Sequence, residues 1–319
     1  MKAVIAASVG AAVAIVIIFV VLGIVGVEMF ADRLLFNPPV PSTYDVKTDA
    51  RVRRTLGNAA VYLEVGGRGA RIIIFLHGTA SDAGTAATAL GTPPPGWRYW
   101  VVEYPGFGGV GGARRPTEAG CVESAVAVCE LAAREDPSYV MVGHSLGTGV
   151  AIAALASVPP PSKVVLISAF TSFRDIIQDK VPQWSQLMPN RFDSLRNIKE
   201  QWGGEGEREG EGAQQKKGGA AVKGAKGAKG AKGAKGAAVK GQTGQTGQTG
   251  QTGQQTGQTR TSRFVVYHGT ADQLVPFAHG KAVAMALPTN ATKFVPVQGA
   301  SHEGMKIGEL VRASTTNRP

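Results

Sequence analysis

Cysteine is scarce: Cys121 and Cys129 are the only two in a chain of 319 residues. That excludes a disulfide framework of the kind that staples small secreted domains. Their spacing within AGCVESAVAVCELAARE sets them on one helix, about 12 Å apart along its axis. This is beyond disulfide reach, so both read as small core residues. A shaped nucleic-acid surface is also missing. Lys and Arg outnumber Asp and Glu by 34 to 23, a formal charge of +11, but the segment from Gln201 to Ser262 alone holds +6 of it. The remainder is mildly basic and carries no recognition helix, zinc finger or aromatic RNA-binding pattern, so nucleic acid is not an expected partner. Proline is absent from 203–261, where GEGEREGEG gives way to GAK and then GQT triplets. Glycine at every third position resembles a collagen register, but the lack of proline argues against a triple helix. With hardly an apolar side chain larger than Ala, 203–261 is expected to be a disordered repeat insert.

Charge is absent from Ala3 to Val27, a run of 25 residues, AVIAASVGAAVAIVIIFVVLGIVGV. A helix needs about 20 apolar residues to cross the hydrocarbon core, whereas the apolar region of a cleavable signal peptide is about 7 to 15. Residues 1–27 are therefore expected to be an N-terminal transmembrane signal anchor. Lys2 precedes the run, and Glu28, Asp32 and Arg33 follow it, which places the N-terminus in the cytoplasm and the folded part in a lumen or outside the cell. The glycosylation sequon Asn290-Ala291-Thr292 is compatible with that side. Residues 28–50, with the prolines of LLFNPPVPSTYD, read as an extended connector.

The folded domain is expected over 51–202 and 262–319. Five short apolar runs there, RIIIFLHG, WRYWVVEYPG, SYVMVGHS, KVVLISAF and RFVVYHG, are mostly unalternating and bounded by turn residues, and TKFVPVQG adds a sixth. Such runs suit strands buried on both faces. Helical stretches such as TEAGCVESAVAVCELAARE and GTGVAIAALAS lie between them. The alternation predicts an α/β domain with a mostly parallel central sheet flanked by helices.

The strongest chemical signal is Gly143-His144-Ser145-Leu146-Gly147, between the strand SYVMV and a small-residue helix. A strand-to-helix turn this tight leaves no room for bulky neighbours, which calls for Gly143 and Gly147 and lifts Ser145 to the crest. The helix that starts there aims backbone N–H groups at the same point, so the Leu146 amide can stabilise an oxyanion. A serine hydroxyl needs a base, and there are five histidines. His144 points away from the hydroxyl, His77 follows a strand, and His279 falls in a helical stretch. His268 either braces a loop or takes part in the chemistry. His302, in GASHEG after the last strand, is placed as a mobile base should be. Asp272, in HGTADQLVP, is the acid that would orient it. The order Ser145, Asp272, His302 differs from those of chymotrypsin and subtilisin.

HGTASDAG, EYPGFGG, RPTEAG, GHSLGTGVA, SAFTSFRDI, RFDSLRNI, HGTADQLVP and GASHEG together resemble the membrane-anchored α/β-hydrolase-domain serine hydrolases. That branch includes monoacylglycerol lipases, lysophospholipid lipases and protein depalmitoylases. The resemblance implies an α/β-hydrolase fold with Ser145 as nucleophile, His302 as general base and acid, Asp272 as its partner, and the amides of Thr79 and Leu146 as oxyanion donors. It implies no metal and no organic cofactor. Pro105 stands where the family usually has an arginine. The expected activity is cleavage of an acyl ester or thioester, with a lipid or acylated protein as substrate and the membrane as its setting. A rival reading is an inactive membrane adaptor of the same fold that binds through the basic insert; the presence of all three triad residues argues against it.

Overall fold

The computed structural model describes residues 17, 21–38, 51–56, 60–67, 69–108, 115–203 and 263–316. The six apolar runs form six strands: β3 (Arg71–Leu76), β4 (Trp97–Glu103), β5 (Val140–His144), β6 (Lys163–Ile167), β7 (Phe264–Gly269) and β8 (Thr292–Val297). Two more, β1 (Arg51–Leu56) and β2 (Ala60–Val65), precede them. The sheet runs β1-β2-β4-β3-β5-β6-β7-β8, with β1 and β2 antiparallel to their neighbours and all other pairs parallel.

Continuous apolar strands need cover on both faces; β3 to β7 have it, whereas β8 lies at the sheet edge with no fully buried residue. On one face, α2 (Ala83–Leu90) and α9 (Ile307–Thr316) enclose Ile73, Phe75, Tyr99, Val142 and Val311. On the other, α3 (Glu118–Glu135) and α4 (Leu146–Ala154) enclose Ile72, Ile74, Trp100, Met141 and Val128. Cys121 and Cys129 are buried in α3 as free thiols. Between β6 and β7 lie α5 (Phe173–Lys180), α6 (Pro182–Ser185) and a helix, α7, over 194–203; α8 (Phe277–Ala286) follows β7. The chain turns away from β3 to β4 on one side and to β5 on the other. That reversal opens a crevice beyond the carboxyl ends of β3 and β5, the place where open α/β sheets bind ligands.

The expected extended connector is corrected at its start, because a helix, α1, runs over 21–35. Val27, Ala31 and Leu35 recur at helical spacing and pack on the core, with Ala31 and Leu35 buried. Burial of that face keeps the chain helical until shortly before Pro38. The folded domain thus starts earlier than residue 51. Most of the expected span Ala3–Val27 lies outside the described residues; among those described, no helix is long and apolar enough to cross a membrane. The insert expected over 203–261 also lies outside them, except for Gly203 at the end of α7.

Candidate active site

Ser145 sits at φ 52°, ψ −118°, a strained conformation for a residue with a side chain. Close packing on both sides imposes it. A Cβ on Gly147 would lie 2.0 Å from the Leu76 carbonyl oxygen, and one on Gly143 would lie 2.5 Å from the Gly147 oxygen. Only hydrogen fits at either place, so the turn stays tight and Ser145 stands at its crest. The Ser145 amide donates to Ile167 O at 2.9 Å, and the Ser145 carbonyl accepts from the Thr148 amide at 2.9 Å.

The structure brings the three expected side chains together. His302 donates from Nδ1 to Asp272 Oδ2 at 2.8 Å, and the Ser145 hydroxyl reaches His302 Nε2 at 3.0 Å. All three are buried. A carboxylate only accepts, so Asp272 fixes the proton on Nδ1 and leaves the Nε2 lone pair for the serine. Asp272 is itself held by amides, since Oδ1 accepts from Leu274 at 3.1 Å and Val275 at 2.8 Å. Burial opposes its ionisation, but the His302 hydrogen bond, the Val275 amide and the nearby histidines win, and the carboxyl ionises below the usual aspartate range. The loops carrying Asp272 and His302 are tied together: Ala271 N donates to Ala300 O at 3.1 Å, and Gly299 N to Thr270 Oγ1 at 2.8 Å.

The remaining histidines divide by contact. His268 donates from Nε2 to Val275 O at 2.9 Å and lies 3.6 Å from Asp272 Oδ2, so it braces the acid's loop. His279 bonds Asp179 at 2.7 Å and Thr171 at 2.8 Å, outside the site. His77 donates from Nδ1 to Gly78 O at 2.8 Å, and its Nε2 lies 3.4 Å from Glu103 Oε1. Sequence reasoning missed Glu103, whose Oε2 accepts from the Ala83 amide at 3.1 Å. The signal was available, because a carboxylate closing the largely apolar run WRYWVV needs a buried partner.

Thr79 and Leu146 both belong to this corner. A Cβ on Gly78 would lie 3.3 Å from Ser145 Cβ, so the 77–79 loop rests directly against the serine. Leu146 opens α4, and its amide has no intrahelical acceptor. The Thr79 amide meets no acceptor among the described residues. A cavity of about 770 Å³ opens above Ser145 and His302; Phe75, Ala86, Ala89, Leu274, Met305 and Ile307 line it together with the charged Glu303, Lys306, Glu309 and Arg312. Among the described residues no His, Cys, Asp and Glu cluster could hold a metal ion.

His144 also lines the cavity. Burial, reinforced by neighbouring His302, pushes its imidazole down to about 3 from an ordinary 6.5. The unfolded chain therefore binds the extra proton. Stability should be full above about pH 6.5 and decline as pH falls towards 3, by up to about 1.4 kcal/mol per pH unit from this group. Thermal melts across that window should show a shallower decline in His144→Gln; equal slopes would assign the proton uptake elsewhere.

A mostly parallel sheet covered by helices, with a serine at a strand-to-helix turn and an aspartate and histidine on later loops, defines an α/β-hydrolase architecture. The chain belongs to the alpha/beta hydrolase family, whose sequence pattern matches residues 73–306. The solved structure of TT1662 from Thermus thermophilus is similar at a TM-score of 0.51 and 16% identity, covering 83% of this chain and 94% of that one. A thermophilic esterase from the Planctomycetes species Thermogutta terrifontis, with propionate bound, gives 0.49 and 13% over 84% and 93%. At such identities the likeness concerns fold alone. No curated protein sequence matches the chain.

Proposed function

We propose that this chain is a serine hydrolase, cleaving acyl esters or thioesters through an acyl-enzyme. The observation that carries the reading is the unbroken hydrogen-bond chain Asp272–His302–Ser145, at 2.8 and 3.0 Å, whose Ser145 and His302 line a cavity. Ser145 Oγ attacks the acyl carbonyl while its proton passes to His302 Nε2. Negative charge on the former carbonyl oxygen is met by the amides of Thr79 and Leu146. The tetrahedral adduct collapses, and His302 returns the proton to the departing alcohol or thiol. Water, deprotonated by His302, then releases the acid. The cycle draws on no metal or organic cofactor.

Phe75, Leu274, Met305 and Ile307 offer apolar contact to an acyl chain, and monoacylglycerols and lysophospholipids are the first substrates to consider, with acylated protein cysteine as the thioester counterpart. An anchor over 1–27 would hold the site beside such substrates. The 25 uncharged residues from Ala3 to Val27 support it, as do the exposed apolar side chains of Ile17, Val21, Leu22, Ile24 and Val25. A lumenal or extracellular catalytic domain fits the flanking charges and the exposed Asn290 of the sequon.

Incubation of the membrane-bound protein with a fluorophosphonate probe should place the label on the peptide containing Ser145. The same preparation should release fatty acid from at least one of those three substrate classes. A folded protein that takes up no probe would falsify the reading.

A further inference from the structure

The 77–79 loop is held from two directions. At His77 the hold is internal: Tyr104 OH donates to His77 O at 3.2 Å, and the His77 ring bonds Gly78 O. At Thr79 the hold comes from the exit of α1. The Thr79 hydroxyl donates to Leu35 O and accepts from the Asn37 amide at 3.2 Å. Both bonds of this hydroxyl thus go to one three-residue segment more than forty positions away in sequence.

That segment is itself fixed. Phe36 is buried and meets the Phe192 ring edge-on at 6.2 Å between centroids. Arg191 ties α1 from the side, pairing with Glu28 and, from Nε, with Asp32 Oδ1 at 3.3 Å. Phe192 takes φ 47°, with its amide donating to Glu118 Oε1 at 2.9 Å. Core packing and charge therefore set the place of Leu35 and Asn37 independently of the loop they bind.

We propose that the exit of α1, residues 35–37, is a positioning element of the active site: through the Thr79 hydroxyl it sets the backbone that must meet the oxyanion. The proposal rests on the serine-hydrolase reading of Ser145. Donors to a developing oxyanion contribute only when held within a fraction of an ångström, and misplacement of about 1 Å costs on the order of a hundredfold in rate. The helix leading from the expected membrane anchor thereby belongs to the catalytic apparatus, through positioning residues that never touch substrate.

The test uses the full chain in membranes, with kcat and KM measured on a soluble aryl ester across pH. Thr79→Val keeps the branched shape and removes the hydroxyl. It should lower kcat about ten- to a hundredfold, with KM within about twofold and the pH profile unmoved. Thr79→Ser should restore kcat to within about threefold of wild type. Arg191→Gln, remote from the cavity, should lower kcat several-fold by loosening the helix, and it decides the question if Thr79→Val does not fold. Wild-type kcat in both variants, with Ser145→Ala inactive, overturns the positioning role and leaves the hydrolase reading standing. Loss of activity that follows loss of melting temperature, and that Thr79→Ser does not restore, overturns it in favour of a structural contact. A folded wild type that neither reacts with the fluorophosphonate nor hydrolyses ester overturns the hydrolase reading itself.

Discussion

Ser145→Ala is expected to reduce kcat for ester hydrolysis by about 10⁵- to 10⁶-fold, while the protein folds and binds substrate as before. At the upper end this is about 8 kcal/mol of lost transition-state stabilisation. The size follows from the removal of the covalent route: with no oxygen 3.0 Å from His302 Nε2, the base has only water to activate. The oxyanion donors and the cavity would still supply a residual rate. Because Ser145 occupies a left-handed conformation and its side chain makes no capping bond to α4, alanine there removes no structural hydrogen bond beyond the one to His302. Melting temperature should therefore shift little. Single-turnover kinetics with an activated ester would check it, since the initial burst of alcohol from acyl-enzyme formation should vanish. A variant that keeps the burst would place the nucleophile elsewhere.

Asp272→Asn should reduce kcat by about 10⁴-fold near neutral pH with little change in KM. The reason lies in hydrogen-bond direction. Asp272 Oδ2 can only accept, so it holds the Nδ1–H form of His302. The amide of asparagine can donate in that position, which turns the ring to the other tautomer and points a proton, instead of a lone pair, at Ser145. The same change alters stability with pH. Because the Asp272 carboxyl ionises below the usual range in the folded state, it contributes stability above the unfolded value near 3.8. That contribution is lost as pH falls through the lower folded value. The variant should thus melt below wild type at neutral pH, and the gap should narrow in acid. A gap independent of pH, or a kcat within tenfold of wild type, would remove Asp272 from the proposed role.

Much of this could be read from residue order, for reasons visible in particular elements. Strands β3 to β7 stood out because strands inside a largely parallel sheet bury both faces and become apolar runs, as in RIIIFL, whereas β8 is an edge strand with no fully buried residue. Strand β1, RVRRTL, did not. It is an antiparallel edge strand in which Arg53 is exposed and Arg54 pairs with Glu64 at 3.0 Å, so no apolar run marks it. Ser145, Asp272 and His302 were legible because each follows a strand, and turn chemistry leaves local traces such as paired glycines. The hold of Leu35 and Asn37 on Thr79 left none. A hydroxyl meeting two backbone groups from a distant segment has no periodicity or spacing to betray it, and the prolines after Asn37 drew attention away from the helical spacing of Val27, Ala31 and Leu35.

The place where the repeats join the domain has a consequence for how the sequence can change over time. Gly203 ends α7 and Arg263 stands just before β7, so both junctions lie near the amino end of that strand. Asp272 follows its carboxyl end. Six strand residues, roughly 20 Å, separate the two levels. A change in the number of GAK and GQT triplets would therefore enter the chain at the level away from Asp272 and leave the residues of the candidate site in place.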